Sequence, residues 1–248
     1  MTIFSGGALS KVIPPASAPL QSALSGPFLF RHPLSKLDNM KQRLKFFIIG
    51  SLCFGAFVLF SFIVHKNLLT QFDFNTTVRL QDHIISRKFD GLFSFLSDIG
   101  AFEIMLGVLL VFLVFLKKIR GIFVLGFFGL FHLIELYGKF FVDHLPPPEF
   151  MLRTQRIMNF PQFHIRAENS YPSGHAGRAG FISIIVGLIV LRSKKLSRLQ
   201  KSLILGFLIV YDITMFISRI YLGEHWTTDV IGGAILGASL GILSMVLL

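Results

Sequence analysis

From about Phe46 to the end of the chain, long apolar stretches alternate with short segments that carry most of the lysines and arginines. No other feature constrains the fold as much. A run of roughly 17 to 25 apolar residues is the length of a membrane-crossing helix, and in lipid every backbone polar group must find its partner within the protein. Six such segments can be placed, at about 46–64, 100–116, 121–141, 175–191, 202–218 and 227–248. Several hold only about 13 uninterrupted apolar residues, short of the roughly 20 a full span needs, so their polar ends are expected at the interface or inside the protein. The expected fold is all-α: a polytopic membrane protein with six transmembrane helices in one domain, 45–248. A flexible cytoplasmic tail, 1–44, precedes it, rich in Ser, Pro, Gly and Ala and without the charged start and apolar core of a cleavable signal peptide.

Composition agrees. Of the 248 residues 53% are hydrophobic and 29 are Phe, which fits a lipid-facing surface better than a soluble helical core. The net charge of +11 does not point to nucleic acid. Its basic residues sit between apolar runs, as positive-inside loops do, and no basic-aromatic platform lies outside those runs. The same charge attracts anionic lipid. The single cysteine, Cys53, permits no intrachain disulfide and no thiolate metal site; it reads as a small lipid- or helix-facing residue.

Charge also sets the orientation. The N-terminal tail, the turn 117–120 and the loop 192–201 carry most of the lysines and arginines and are expected in the cytoplasm. With an even number of crossings both termini lie there, and loops 65–99, 142–174 and 219–226 face outward. Residues 70–98 have helical apolar spacing and read as one or two amphipathic helices on the outer membrane surface. They either steer a lipid substrate into a site or simply pack over the bundle.

Two polar clusters fall at that outer face. His225 and Asp229 are four apart, on one face if the sixth helix starts near Thr227. A carboxylate behind a histidine fixes its tautomer and stabilises its positive charge, leaving the other nitrogen free to attack phosphorus. The plainer alternative is an Asp that caps a helix start beside a surface histidine. Across one segment lie Pro172, Ser173, Gly174 and His175. There a glycine allows close approach of an anion, Ser173 offers a hydroxyl, a helix N-terminus offers free N–H groups, and His175 is placed to act as a general acid. An ordinary capped helix start is again the alternative. Arg219, at the outer end of the fifth segment, needs an anionic partner and has the planar fork that suits phosphate. Lys139, near the end of the third segment, needs a partner too or snorkels to the interface.

Lys139, the run from Pro172 to His175, and Ser218, Arg219, His225 and Asp229 together resemble the three-part signature of the type 2 phosphatidic acid phosphatase (PAP2) superfamily. The resemblance covers about 45–248 and implies a PAP2/haloperoxidase-like helical bundle. It implies that His225 is the nucleophile that forms a phosphohistidine, that Asp229 orients it, and that His175 protonates the departing oxygen. Lys139, Ser173, Gly174 and Arg219 would hold the phosphoryl oxygens, with no metal and no cofactor. The first part departs from the family pattern: Pro146 stands where an arginine is expected before Pro147. Arg178, one turn beyond His175, is a candidate substitute; Arg153, Arg156 and Arg166 are others.

The expected activity is that of a bacterial inner-membrane lipid phosphatase that removes a phosphate from a lipid monophosphate or diphosphate at the outer leaflet. Undecaprenyl diphosphate, phosphatidylglycerol phosphate, phosphatidic acid and lipid A are the substrate classes in view. A lipid phosphotransferase using the same intermediate, and a non-catalytic transporter or scaffold, are the rivals. Three further polar residues lie within apolar segments. Glu135, one turn before Lys139, is placed to hold its ammonium; Asp212 must be neutral or paired; His132 is expected to make a helix-packing hydrogen bond.

Overall fold

The computed structural model describes residues 33–84, 87–116, 121–155, 157–158 and 168–248. The chain divides into two units, Met1–Asp38 and Asn39–Leu248. Most of the first unit and of the expected 1–44 tail lies outside the described residues, as do Arg156 and Arg166. Among the described residues there are eight α-helices and no strand: α1 (Pro33–His65), α2 (Thr70–His83), α3 (Asp90–Ile99), α4 (Phe102–Leu116), α5 (Gly121–Phe141), α6 (Gly174–Arg192), α7 (Arg198–Tyr221) and α8 (Thr227–Ser244).

Five of these are long and apolar enough to cross a membrane: α1 from Met40, α5, α6, α7 and α8. The expected second span is where sequence and structure part. At 15 residues α4 extends about 22 Å, short of a hydrocarbon core of about 30 Å. It is continued instead by α3, with a bend of 53° between them. The crossings therefore number five, or six if this bent pair is one span. Gly100 sits at the break. A Cβ there would come within 2.8 Å of both His175 Cδ2 and Met215 Cε, so the missing side chain makes room for His175.

The centre of the bundle is α6 against α8. Both are mostly buried, whereas α1 and α7 expose most of their length. Glycines allow this packing. A Cβ on Gly237 would overlap the Gly177 carbonyl, and one on Gly177 would overlap the Phe131 ring. Small residues on facing helices let backbones approach closely where no hydrophobic force drives helices together in lipid. Around this seam Leu109, Val124, Phe128, Phe131, Phe181, Ile185, Leu236 and Leu240 form the core. Gly237→Val should force α6 and α8 apart and lower stability by about 1–3 kcal/mol, as overpacking does. Thermal unfolding in detergent, compared with Gly126→Val, whose Cβ would meet nothing within 4 Å, checks this.

Helices α2 and α3 are amphipathic as expected, but inside out. The buried faces are polar: Asp73, Thr77 and Gln81 on α2, and Asp90, Ser94 and Ser97 on α3. Phe72, Phe74, Leu92 and Phe95 point outward. A soluble protein would reverse this arrangement; a helix lying at the edge of a bilayer puts its apolar face toward lipid. The polar faces meet matching groups. Tyr221 Oη donates to Asp90 Oδ1 (2.6 Å), and Gln81 Nε2 donates to the carbonyls of Met151 and Tyr221 (2.9 Å each). Of the two alternatives for this region, packing over the bundle is the one seen, with an apolar surface turned outward.

Asp212 is paired between helices: Ser183 Oγ on α6 donates to its Oδ1 at 2.8 Å. Among the described residues His132 makes no hydrogen bond across helices, contrary to expectation. Its Nδ1 faces Glu135 Oε2 on the same helix at 3.0 Å, and its ring is set edge-on to Phe102, Phe128 and Phe131. Cys53 is half-buried.

Candidate active site

The end of α5, the start of α6, the end of α7 and the start of α8 meet at one end of the bundle, and with them come the residues singled out in the sequence. One backbone hydrogen bond joins the two main motifs: Ser173 N–H donates to the Asp229 carbonyl at 2.9 Å. A Cβ on Gly233 would overlap the Ser173 carbonyl, so this stitch depends on a glycine. Ser173 caps α6 through its side-chain oxygen, which faces Ala176 N–H at 3.5 Å, and it is fully buried. Gly174 is filled from the side: a Cβ there would overlap the Glu135 carboxylate.

His225 lies in the short loop before α8 and is 8% exposed. Its Nδ1 faces Asp229 Oδ2 at 3.3 Å. Since a carboxylate only accepts, Nδ1 carries the proton and Nε2 is left as the unprotonated nitrogen. Asp229 is 0% exposed. Its Oδ2 also accepts from Trp226 N–H at 3.0 Å. The helix-start cap and the histidine partner, alternatives in the sequence, are thus one carboxylate doing both. His175, at the start of α6, retains some exposure and lies close enough to Arg219, Arg178, His225 and Lys139 to feel their charges.

Arg219 is the largest side chain completely removed from solvent. Its Nη1 pairs with Glu224, which also accepts from Thr154 Oγ1 (2.5 Å). Its Nη2 has no partner among the described residues. Ser218 supports Arg219, whose Nε donates to the Ser218 Oγ at 3.5 Å. Its hydroxyl donates back to the Met215 carbonyl at 2.7 Å. The other cations gather on Glu135. Its carboxylate lies 3.9 Å from Lys139 Nζ and 3.5 Å from Arg178 Nη1. Glu135 thus faces Lys139 as expected, but its carboxylate is shared by Arg178 and His132 as well. Arg178 is buried, and its Nε donates to the Gly100 carbonyl at 3.0 Å, at the α3–α4 break. Arg153, another candidate for the missing arginine, lies over the Tyr221 ring and donates to the Ile84 carbonyl at 3.1 Å, which ties the end of α2 to the end of α7.

Two residues of this site escaped sequence reasoning. His144, in the loop after α5, points its Nδ1 at Asp229 Oδ1 (2.8 Å) and its Nε2 at Asp73 Oδ2 (3.5 Å). Asp73, on α2, accepts from Thr228 N–H (2.8 Å) and Thr228 Oγ1 (2.7 Å) at the start of α8. Burial works against a charge on His144, but the hydrogen bonds to Asp229 and Asp73 outweigh it and lift the pKa to about 9. Neither residue stands at a recognisable spacing from the motifs. The one available hint was an aspartate on a helix whose other face is strongly apolar.

Fold and site define a class: an integral membrane protein of apolar helices with a buried cluster of cations and imidazoles at one end. The chain belongs to the PAP2 superfamily, whose model matches residues 118–248, more than half of its length. It is 31% identical over 158 residues to an undecaprenyl-diphosphatase of Sulfolobus acidocaldarius, covering 63% of this chain and 69% of that protein. It is 26% identical over 121 residues to phosphatidylglycerophosphatase B of Bacillus subtilis, covering 49% of this chain and 54% of the relative, so it spans about half of that protein. The crystal structure of a transmembrane PAP2-type phosphatidylglycerolphosphate phosphatase from Bacillus subtilis superposes with a TM-score of 0.63 at 22% identity, over 79% of this chain and 94% of that one, which shows a shared fold.

Proposed function

We propose that this protein is a membrane lipid phosphatase that hydrolyses a phosphomonoester or diphosphate of a lipid through a phosphohistidine on His225. The observation that carries the reading is the Arg219 guanidinium, 0% exposed with Nη2 unpartnered among the described residues, beside His175 and His225. A buried cation with open donors in such company is complementary to an anion of several oxygens.

In this reading His225 Nε2 attacks phosphorus while its Nδ1–H stays on Asp229, whose charge stabilises the imidazolium as the N–P bond forms. The bond from phosphorus to the leaving oxygen breaks, and His175 gives that oxygen its proton. A water then attacks the phosphohistidine, His175 takes a proton from it, and the N–P bond breaks to release phosphate. Arg219 Nη2, Lys139, the Ser173 hydroxyl and the backbone around Gly174 stabilise the phosphoryl oxygens, where catalysis of phosphoryl transfer mainly lies. Arg178 adds positive charge in place of the arginine that Pro146 displaces. The bent α3–α4 pair counts as the sixth crossing, and the site faces the outer leaflet, because Lys194, Lys195, Arg198 and Lys201 stand at the opposite ends of α6 and α7. The apolar outer faces of α2 and α3 lie where a lipid headgroup would enter. Undecaprenyl diphosphate and phosphatidylglycerol phosphate lead the substrate classes, since the named relatives act on them; phosphatidic acid and lipid A complete the panel.

Phosphate release by the purified protein across that panel, with chelator present, tests the reading. Release from at least one lipid, and acid-labile label on the protein, are expected. No release from any member would overturn it, and a phosphorylated lipid acceptor in place of free phosphate would make the protein a transferase. Arg178→Ala should raise KM at least tenfold. Unchanged kinetics would show that Arg178 serves only to join Glu135 to Gly100.

A further inference from the structure

The loop after α5 departs from the family pattern at Pro146, yet it is firmly placed. His144 N–H donates to Asn169 Oδ1 (2.9 Å), the His144 carbonyl accepts from Ser170 N–H (2.9 Å) and Ser170 Oγ (3.1 Å), and Trp226 Nε1 donates to the Leu145 carbonyl (2.8 Å). These bonds hold the His144 ring between two carboxylates from different helices, Asp73 of α2 and Asp229 of α8. A further titratable neighbour is Tyr171, whose ring stands edge-on to the imidazole at 6.4 Å. Asp73 and Asp229 are 2% and 0% exposed.

A buried carboxylate keeps its charge only where hydrogen-bond donors or a cation offset the cost of burial. A protonated Asp229 would accept only weakly from Trp226 N–H and His225 Nδ1–H and would no longer carry the charge that stabilises a positive His225. We propose that His144 is a positioning residue for the nucleophile: as an imidazolium bridging Asp73 and Asp229, it keeps Asp229 charged and aimed at His225 Nδ1. The role rests on the phosphatase reading, since it matters for turnover only if His225 attacks. It also makes the interfacial helix α2 part of the catalytic support, because Asp73 grips both His144 and Thr228 at the start of α8.

The raised His144 pKa sets the direction of the pH effect. The bridge is intact below about 6.5, remains charged at neutral pH, and is lost as pH rises through about 9. Wild-type kcat should fall through that range.

Three variants and two readouts test the proposal. His144→Phe removes both hydrogen bonds and should lower kcat on the order of ten- to hundredfold, the scale of outer-sphere support, with KM within about twofold. His144→Asn retains a donor toward Asp229 without the charge; its kcat should sit at the wild-type high-pH level and lose the inflection near pH 9. Asp73→Asn can still accept from Thr228 N–H and should move that inflection toward neutral pH. Independently of activity, nitrogen-15 histidine NMR should find the proton of His225 on Nδ1 in the wild type and shared between both nitrogens in folded His144→Phe. A wild type that releases no phosphate would defeat the phosphatase reading and leave this NMR prediction standing or falling on its own. Wild-type kcat, pH profile and His225 tautomer in folded His144→Phe, or an effect confined to KM, would overturn the bridge.

Discussion

His225→Ala is expected to release no phosphate from any lipid and to carry no label, because it removes the imidazole whose Nδ1 is held by Asp229 and whose Nε2 is left to attack. Asp229→Asn should be nearly as severe, with kcat down by about 10⁴, or about 5 kcal/mol of transition-state stabilisation. The reason lies in the hydrogen-bond inventory. Asp229 accepts at Oδ1 from His144 and at Oδ2 from Trp226 N–H and His225. An asparagine has one accepting atom and one donating group. If its NH₂ faces His225, Nδ1 must become the acceptor and the proton moves to Nε2, the atom that should attack. If it faces His144, that bridge breaks instead. Single-turnover assays with labelled lipid distinguish the two failures: loss of labelling marks a lost nucleophile, whereas slow labelling marks a misdirected one. Retained turnover in His225→Ala would end the phosphohistidine reading.

The second large effect is at Arg219. Arg219→Lys keeps the charge but not the fork. One ammonium can satisfy Glu224 or the phosphoryl oxygens but cannot replace Nη1 and Nη2 together. A loss in kcat/KM of about 10²–10³ is expected, the size found when one transition-state donor is removed. Arg219→Ala additionally leaves Glu224 without its cation, so some of its loss will come from folding. Pairing it with Glu224→Gln separates the two: the double variant should recover thermal stability and remain inactive. Recovery of activity as well would mean that Arg219 serves only to hold Glu224.

The two motifs around His175 and His225 were legible because each keeps its chemistry within a few residues at the end of a helix. Local spacing determines which side chains share a face, and the apolar runs determine that those faces lie at the same end of the bundle. The membrane-spanning character was legible for the same reason, since a bilayer demands a length and composition that a sequence states directly.

The second crossing was only half legible. Its apolar residues stop short of a full span, and the bend that joins them to α3 lies where Gly100 packs against His175 and Met215. The polar inner faces of α2 and α3 were visible as amphipathicity, but which face turns inward depends on whether the neighbour is protein or lipid. His144 and Asp73 were invisible. They lie 71 positions apart and meet beside Asp229 only because α2 and the residues just after α5 both pack against the start of α8. The order of residues thus determined which groups could do the chemistry. The tertiary structure alone decided which charges neutralise one another, because a buried carboxylate is governed by whatever lies within a few ångströms of it, however distant along the chain.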